Sequence, residues 1–193
     1  MPDVRRTVTQ NMEWMDLQVG DIFQVDEINF IVIDRDGNNA VIQQYDHVKE
    51  HVFNDDNTNK YEGSDMQKYV LGEYKEQFSK EFIQRIDGDF FILSMEDFKK
   101  YPFLNSKFNR IRLDEEGDPT WWWTATPYVG TGNIVRYVNT DGYINNYGAY
   151  ISIGVAPACR IHLEFMESAP TGAADDVLTE IRDLLTQIAK AVS

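Results

Sequence analysis

The alternation of apolar and polar positions predicts a series of short β-strands near the start of the chain. We expect strands over residues 21–25, 29–34 and 39–45. Residues 35–38, Arg-Asp-Gly-Asn, predict a turn between the last two strands, since Asp, Gly and Asn tolerate a positive φ. Residues 30–33, Phe-Ile-Val-Ile, are apolar without interruption, which indicates a strand buried on both faces at the centre of a sheet.

Helical spacing follows the polar stretch 54–60, which we interpret as a surface loop. Ser64 with Gln67 three residues later matches a capping box. The apolar residues behind it recur at helical spacing, and they are Met66, Tyr69, Val70, Tyr74 and Phe78. A second helical stretch contains Phe82, Ile83 and Ile86. A strand is expected over 89–93, and residues 94–97 predict the cap of a short helix.

The later part of the chain is rich in strands. Residues 105–119 are polar and irregular and end in the acidic turn 114–118. Strands are expected near 121–126, 133–139 and 156–163, and residues 140–142, Thr-Asp-Gly, predict a tight turn. The order of strands, helices and strands again predicts an α+β fold.

The last residues differ in composition from the rest. We divide the chain into a lead-in over 1–15, one domain over 16–166, a small-residue linker over 167–176 and an amphipathic helix over 177–193. The apolar stripe of this helix fits either a coiled-coil seam, which would make a homo-oligomer, or a helix docked on its own domain. Both interpretations stay open at the level of sequence.

Composition narrows the classes of partner. The net charge of −14 repels polyanions, so nucleic acid and anionic membranes are poor partners. No apolar run approaches the roughly 20 residues of a membrane span, and no secretory signal is recognised at the start. We therefore expect synthesis in the cytoplasm, with virion association as a further expectation. Cys159 is the only cysteine, so no disulfide forms within the chain.

The most distinctive composition lies between residues 120 and 163. Three consecutive tryptophans precede a stretch crowded with Tyr, Asn and Gly. Trp and Tyr offer large contact areas with few rotors, and Asn and Gly adapt their hydrogen bonds, so this stretch is typical of a binding surface. A long hairpin with solvated turns is the alternative. Because side chains alternate along a strand, we expect Trp122, or Trp121 with Trp123, to fill the core.

Motifs for catalysis are weak. His47 and His51 match an H-x-x-E-H pattern, but the pattern follows a strand rather than lying on a helix, so we interpret it as coincidence. The acidic stretches 54–57 and 114–118 lack the spacing of a calcium loop. Cys159 lies in an apolar strand and is expected to be buried and inert. We predict no catalytic residue, no metal ligand and no cofactor.

Four signatures occur in a defined order along the chain. They are residues 17–21 (LQVGD), 61–66 (YEGSDM), 91–96 (FILSME), and 122–127 (WWTATP) paired with 154–158 (GVAPA). Over residues 15–165 the chain resembles an uncharacterised domain family, frequent in gut bacteria and their phages, with motifs of the WWLRSP and GVRPAL type.

This resemblance implies a C-type-lectin-like fold, related to formylglycine-generating enzymes. The variable proteins of diversity-generating retroelements share that fold and diversify a short stretch as a ligand-binding face. By position, the face would lie between Pro127 and Gly154 in this chain. The implied ligand-binding residues are Tyr128, Asn133, Tyr137, Asn139, Tyr143, Asn145, Asn146, Tyr147 and Tyr150.

Two positions depart from the family pattern. Ala125 and Ala156 stand where the family usually has Arg. If those arginines share a polar pocket, their joint loss would be one coordinated change to an apolar site. The departure also weakens any family role that needs a positive charge there.

Residues and resemblance together predict a ligand-binding or display protein that is not an enzyme. It would be a retroelement variable protein or a phage adhesion protein, and it would recognise a cell-surface protein or glycan. The alternative is a virion structural or decoration subunit whose aromatic face mediates self-assembly. A third hypothesis, an enzyme related to formylglycine generation, is disfavoured because that oxidative chemistry needs paired cysteines.

Overall fold

The early and late parts of the chain meet in one β-sheet. The structure is a computed structural model that describes residues 7–8 and 13–164. The strands are β1 Thr7–Val8, β2 Ile22–Val25, β3 Ile28–Asp36, β4 Asn39–Gln44, β5 Lys49–Val52, β6 Ile86–Phe91, β7 Arg112–Leu113, β8 Pro119–Thr120, β9 Trp122–Pro127, β10 Ile134–Val138, β11 Ile144–Gly148, β12 Ser152–Val155 and β13 Ala158–His162. The α-helices are α1 Asp65–Tyr69, α2 Lys80–Ile83 and α3 Met95–Lys100. Short 3₁₀ turns cover Trp14–Asp16, Lys75–Gln77, Pro102–Asn105 and Lys107–Arg110.

Two larger sheets and a two-stranded one organise these strands. The first sheet has the order β1-β2-β3-β4-β13-β6, and β13 lies antiparallel between β4 and β6. The second has the order β11-β10-β9-β12-β5, with β9 and β12 parallel. The small sheet pairs β7 with β8. This is a mixed α+β architecture, mostly β with few short helices, as the sequence predicted at that level.

The predicted meander at the start of the domain is confirmed. Strands β2, β3 and β4 match the three expected strands to within about two residues, and Phe30 to Ile33 are buried on both faces. The two-residue loop between β2 and β3, Asp26 and Glu27, has positive φ at both positions. That geometry matches the right-handed twist of a tight hairpin, where Asn-Gly is the usual sequence.

The second sheet separates two hydrophobic clusters. Trp123 packs in the larger cluster with Phe53 and Val135, whereas Trp122 packs in the smaller one with Phe98 and Val138. Both indoles are fully buried because β9 has packed side chains on each face. The sequence predicted that Trp122, or Trp121 with Trp123, fills the core. The burial of Trp122 is confirmed, but Trp123 is buried as well and Trp121 is exposed, because both faces of β9 pack against hydrophobic clusters.

The helices begin where the sequence indicates but are shorter. The Ser64 hydroxyl accepts a hydrogen bond from the Gln67 N–H at 3.1 Å, and Ser94 forms a full capping box with Asp97. After α1 the chain widens into a π-helical turn over Val70–Tyr74 and then a 3₁₀ turn. Ile86, expected on the second helix, instead begins β6.

The end of the chain lies outside the described residues. The predicted helix over 177–193 and the linker over 167–176 fall there, together with most of the lead-in over 1–15. Within the described part, no helix is long and apolar enough to cross a membrane.

Candidate binding site: an aromatic groove

Three aromatic rings form a continuous stack at the outer end of the second sheet. The Trp121 and Tyr137 rings are stacked with centroids 4.9 Å apart, and Tyr147 meets Trp121 edge-on at 6.1 Å. Trp121 and Tyr147 are 38% and 42% exposed, whereas Tyr137 is 7% exposed. Tyr137 in turn contacts the buried Trp123 at 6.2 Å. The exposed rings therefore rest on the core, which holds them in place.

The backbone pairing explains why these rings meet. Tyr137 lies opposite Trp123 on β9 and opposite Asn145 on β11. Tyr147 is two residues beyond Asn145, so both side chains point to the same face as Tyr137. Burial raises the pKa of Tyr137, and the neighbouring Tyr147 raises it further. The Tyr137 phenol thus remains protonated at neutral pH.

A shallow cavity of about 440 Å³ opens beside the exposed rings. We call it the aromatic groove, and it is lined by Trp121 and Tyr147 together with Glu50, Thr120, Thr140 and Ser152. The groove combines two aromatic faces with one carboxylate and three hydroxyls. Aromatic walls with a few placed polar groups are typical of small-ligand sites.

The floor of the groove depends on a glycine. Gly154 on β12 pairs with Trp122 on β9 and is buried. A Cβ atom at Gly154 would collide with the Trp121 carbonyl and the Val48 side chain. Only glycine therefore allows β12 to approach β9 this closely.

The structure places the nine predicted ligand-binding residues in four different settings. Tyr137, Asn145 and Tyr147 lie on the groove face, although Tyr137 is buried beneath the exposed rings. Asn146 points to the opposite face, where its register partner is Arg136. The Arg136 guanidinium lies 5.6 Å from the ring of Tyr128, so Tyr128 also belongs to that opposite face. A single continuous binding ribbon is therefore not formed.

Two further predicted residues build the turn between β10 and β11. The Asn139 side-chain oxygen accepts hydrogen bonds from the N–H groups of Asp141 at 3.1 Å and Tyr143 at 2.8 Å. Lys107 donates to the Tyr143 hydroxyl at 2.9 Å and lies 4.1 Å from its ring centroid. Asn139 and Tyr143 thus have structural partners, although Tyr143 is exposed.

The remaining two residues lie at the ends of the hairpin. Asn133 is exposed, and its carbonyl accepts a hydrogen bond from the Ala149 N–H at 2.9 Å. Tyr150 is exposed, and its ring covers the Cα of Gly148 so closely that a Cβ there would lie 2.7 Å from Tyr150 Cε1. Neither residue lines the aromatic groove.

Sequence reasoning missed five of the six residues named in the groove. Trp121 was considered as core together with Trp123, and Glu50 was noticed only within the histidine pattern. Thr120, Thr140 and Ser152 were outside the implied set. Glu50 reaches the groove because β5 pairs with β12 far along the chain, in register with Gly154. Neither placement follows from local sequence: strand alternation gives the exposed Trp121 the same face as the buried Trp123, and Glu50 is brought in by distant strand pairing.

The histidines and the cysteine that the sequence analysis disfavoured as catalytic or metal-binding residues have structural surroundings. His47 is paired with Asp46 at 2.9 Å, and His51 lies on β5 with its ring stacked on Tyr69. Cys159 is buried as expected, and burial raises the pKa of its thiol. Among residues 7–8 and 13–164, no three His, Cys, Asp or Glu side chains come together so as to hold a metal ion.

The two alanines that depart from the family pattern do not share a pocket. Ala125 packs against the larger hydrophobic cluster, and Ala156 is buried in the smaller one. The hypothesis of one coordinated change is therefore wrong, because separate clusters contain the two positions.

The segment that forms the groove also matches a sequence family. Residues 90–163 match the family described as a domain of unknown function (DUF6273). The nine predicted residues and Trp121 fall in this segment, whereas Glu50 does not. The match is shorter than the expected 15–165 and leaves out the signatures at 17–21 and 61–66. Neither the curated proteins nor the solved structures include a match to this chain.

Proposed function

We propose that this protein is a non-enzymatic ligand-binding protein that recognises a cell-surface glycan or protein through the aromatic groove. The observation that supports this most directly is the half-exposed pair Trp121 and Tyr147, which rests on the buried rings of Tyr137 and Trp123. Rigid aromatic anchors give contact energy at a small entropic cost. Adjoining exposed aromatic rings are typical of interaction sites.

The groove chemistry favours a glycan. Sugar rings present apolar faces that stack on aromatic side chains, and their hydroxyl groups need hydrogen-bond partners. Trp121 and Tyr147 provide the faces, while Glu50, Thr140 and Ser152 provide the polar groups. Glu50 would accept hydrogen bonds from neighbouring sugar hydroxyls.

We assign the domain a C-type-lectin-like fold on the basis of its chain path. The late strand β13 returns beside the early strand β4, and the helices lie between them in sequence. The second sheet is built mainly from the late strands β9 to β12, which present the groove. In this proposal the protein is a retroelement variable protein or a phage adhesion protein.

The first experiment measures binding to a glycan array and to intact bacterial cells. For the strongest glycan, Tyr147→Ala is expected to weaken binding by about 30-fold or more, because a central aromatic anchor contributes about 2 kcal/mol or more. Trp121→Ala should produce a similar loss. Calorimetric titration of the unchanged protein and of each variant gives their dissociation constants for the glycan.

Tyr128→Ala is the matched control for Tyr147→Ala. The two rings are similarly exposed, at 39% and 42%, but Tyr128 lies on the opposite face beside Arg136. Tyr128→Ala should leave the affinity unchanged. Equal losses in both variants, or no binding by the unchanged protein, would contradict recognition through the groove.

An assembly subunit is the second candidate. Strand β11, which bears Tyr147, is an edge strand of the described sheet. Edge strands with exposed apolar side chains favour association between chains. Sedimentation over a range of concentrations distinguishes the two functions. The second is supported if the unchanged protein assembles, if Tyr147→Ala prevents that assembly, and if no glycan binds. Repeating it on a chain truncated after residue 166 tests a homo-oligomer formed through residues 177–193.

A further inference from the structure

Strand β11, Ile144–Gly148, lies at an edge of the second sheet. One side of it pairs with β10 in an uninterrupted antiparallel register. No strand among the described residues pairs with its other side. Asn145, Asn146 and Tyr147 are exposed, so the edge is open to solvent there. An open edge presents backbone donors and acceptors in a row, to which a further strand can add.

The backbone hydrogen bonds show which groups of β11 face outward. The Asn139 N–H donates to the Tyr143 carbonyl at 2.9 Å, just before β11, and the Ala149 N–H donates towards the start of β10 at 2.9 Å, just after it. Because the direction of these groups alternates along a strand, the odd-numbered residues of this stretch bond to β10. The N–H and C=O groups of Ile144 and Asn146 therefore point away from β10 and are available to a further strand.

The other described edges of the two larger sheets are protected against such pairing. Strand β6 has the exposed carboxylates of Asp87 and Asp89, and β5 has the exposed side chains of Lys49 and Glu50. Strand β1 spans only Thr7–Val8. Charged side chains and short strands are the usual means of preventing association at an edge. Strand β11, Ile-Asn-Asn-Tyr-Gly, has no charged side chain, no proline and no bulge in its pairing with β10.

Exposed tyrosines gather along the same edge. Tyr143, Tyr147 and Tyr150 are 54%, 42% and 57% exposed. The segment 143–150 that contains them has no charged residue, although 26% of the chain is charged. Protein interfaces are enriched in tyrosine and depleted of charge at their centre. Because each chain has a net charge of −14, two copies approach each other with least repulsion at an uncharged surface.

The sequence of β11 suits antiparallel pairing with a second copy of itself. With a two-fold axis at Asn146, this residue faces Asn146 of the second copy, and Ile144 faces Gly148. The outward groups of Ile144 and Asn146 then lie where an antiparallel ladder needs them. On the groove face, Asn145 lies opposite Tyr147 of the second copy. No like charges meet in this register, and like charges directly opposite would destabilise the pair.

We propose that two copies of this chain pair antiparallel through β11, with Asn146 facing Asn146, and join their second sheets into one continuous sheet. The two-fold axis is perpendicular to the sheet, so both aromatic grooves lie on the same face. The two Tyr147 residues are diagonal neighbours about 7–8 Å apart, within reach of each other's rings. Two adjoining grooves would bind a repeating ligand with avidity. The proposal rests on the assembly function above only in its use of the β11 edge, and it does not require a groove ligand.

The first test measures amide hydrogen exchange by NMR in the ¹⁵N-labelled full chain at rising protein concentration. A short edge buries less than the roughly 1,200 Å² of a standard interface, so we expect a weak dimer. At about ten times its dissociation constant, exchange at the Ile144 and Asn146 amides should slow about fivefold. The Asn145 and Tyr147 amides bond to β10 in both states, so they are the internal control and should not change. Exchange at Ile144 and Asn146 that does not depend on concentration, or equal slowing at all four amides, would overturn the proposal.

The second test places charges at the two-fold axis and measures the same exchange. Asn146→Lys and Asn146→Asp each bring like charges face to face, so each variant alone should dimerise about fivefold or more weakly. An equimolar mixture should restore the pairing, because opposite charges then face each other. Asn133→Lys, the same change at an exposed position off the edge, is the control and should pair as the unchanged protein does.

Either outcome of this second test is decisive for the register. Full pairing by Asn146→Lys or Asn146→Asp alone, or no recovery in their mixture, would overturn it. Asn146 lies on the face opposite the groove, so glycan binding by these variants reports separately on the function proposed for the groove.

Discussion

At the scale of single residues, Gly154 and Arg112 have environments that their sequence neighbours do not indicate. Arg112 lies in the polar and irregular stretch 105–119, yet its side chain is fully buried. It donates to the Gln43 side-chain oxygen and to the carbonyls of Asn109 at 2.9 Å and Ile111 at 2.8 Å. Desolvation lowers its pKa to about 9. Neutral oxygens thus stabilise this cation inside an acidic protein.

The first prediction at this scale concerns Gly154. Gly154→Ala should destabilise the fold by about 2 kcal/mol or more, because its Cβ would collide with the Trp121 carbonyl and Val48. Urea denaturation measures the change. Gly132→Ala is the control, since a Cβ there meets nothing within 4 Å, and its effect should stay within about 0.5 kcal/mol. Equal effects of the two substitutions would show that β12 can move away from β9.

At the scale of elements, the loop over residues 54–60 supports the hairpin that presents the groove. The Asn59 side chain donates to the carbonyls of Thr131 at 2.8 Å and Ile134 at 3.1 Å. Its backbone N–H donates to Gly132 at 2.9 Å. The predicted surface loop is confirmed for most of this stretch, but Asn54 and Asn59 are buried. The burial of Asn59 was not predicted because its partners are some seventy positions away in sequence.

The prediction for this element is that Asn59→Ala loosens the β9–β10 connection. The Thr131 and Ile134 carbonyls would lose the hydrogen bonds from Asn59, so stability should fall by about 1 kcal/mol. Hydrogen exchange should accelerate at the Tyr128 amide, which donates to the Ile134 carbonyl. Asn145→Ala, an exposed site on β11, serves as the control and should leave that amide unchanged. Unaltered exchange in Asn59→Ala would show that the loop does not support the hairpin.

In the helices, too, the features set by neighbouring residues were predicted and those set by distant contacts were not. The caps at Ser64 and Ser94 were predicted because a cap needs only residues within one turn. The π-helical turn at Val70–Tyr74 was not predicted; both of its end residues are buried in the core, and that burial involves residues distant in sequence. Ile86 likewise joins β6 because it pairs with Ile161 on β13.

At the scale of the whole molecule, buried tyrosines make stability depend on alkaline pH. Burial raises the pKa of Tyr61 from its ordinary value of 10.0 to about 12, and it also raises the pKa values of Tyr45, Tyr69, Tyr74 and Tyr137. The folded state favours the neutral phenols. Their contribution is therefore complete below pH 10 and is lost as the pH rises through the folded-state values. Arg112 changes the free energy of unfolding in the opposite direction as the pH rises. The reason is that its guanidinium keeps the proton to a higher pH in the unfolded chain than in the folded protein.

The prediction at this scale compares the unchanged protein with Tyr61→Phe. Between pH 9 and pH 11 the contribution of Tyr61 to the free energy of unfolding should fall by about 1 kcal/mol. Tyr61→Phe should therefore lose less stability over this interval than the unchanged protein, as measured by urea denaturation. Tyr150→Phe, at an exposed ring, should follow the unchanged protein. Parallel curves for Tyr61→Phe and the unchanged protein would contradict this assignment.

The sequence by itself determined the local features: the strands of the β2–β4 meander, the helix caps, the turn at Gly142 and the aromatic composition of the late segment. These depend on contacts within a few residues and on the period of the side chains. Tertiary structure decided which tyrosines are exposed, that Trp122 and Trp123 are both buried, and that Glu50 lines the same groove as Trp121. It also placed the uncharged strand β11 at an edge of the second sheet. Burial and strand pairing join residues far apart in sequence, and local periodicity contains no record of those partners.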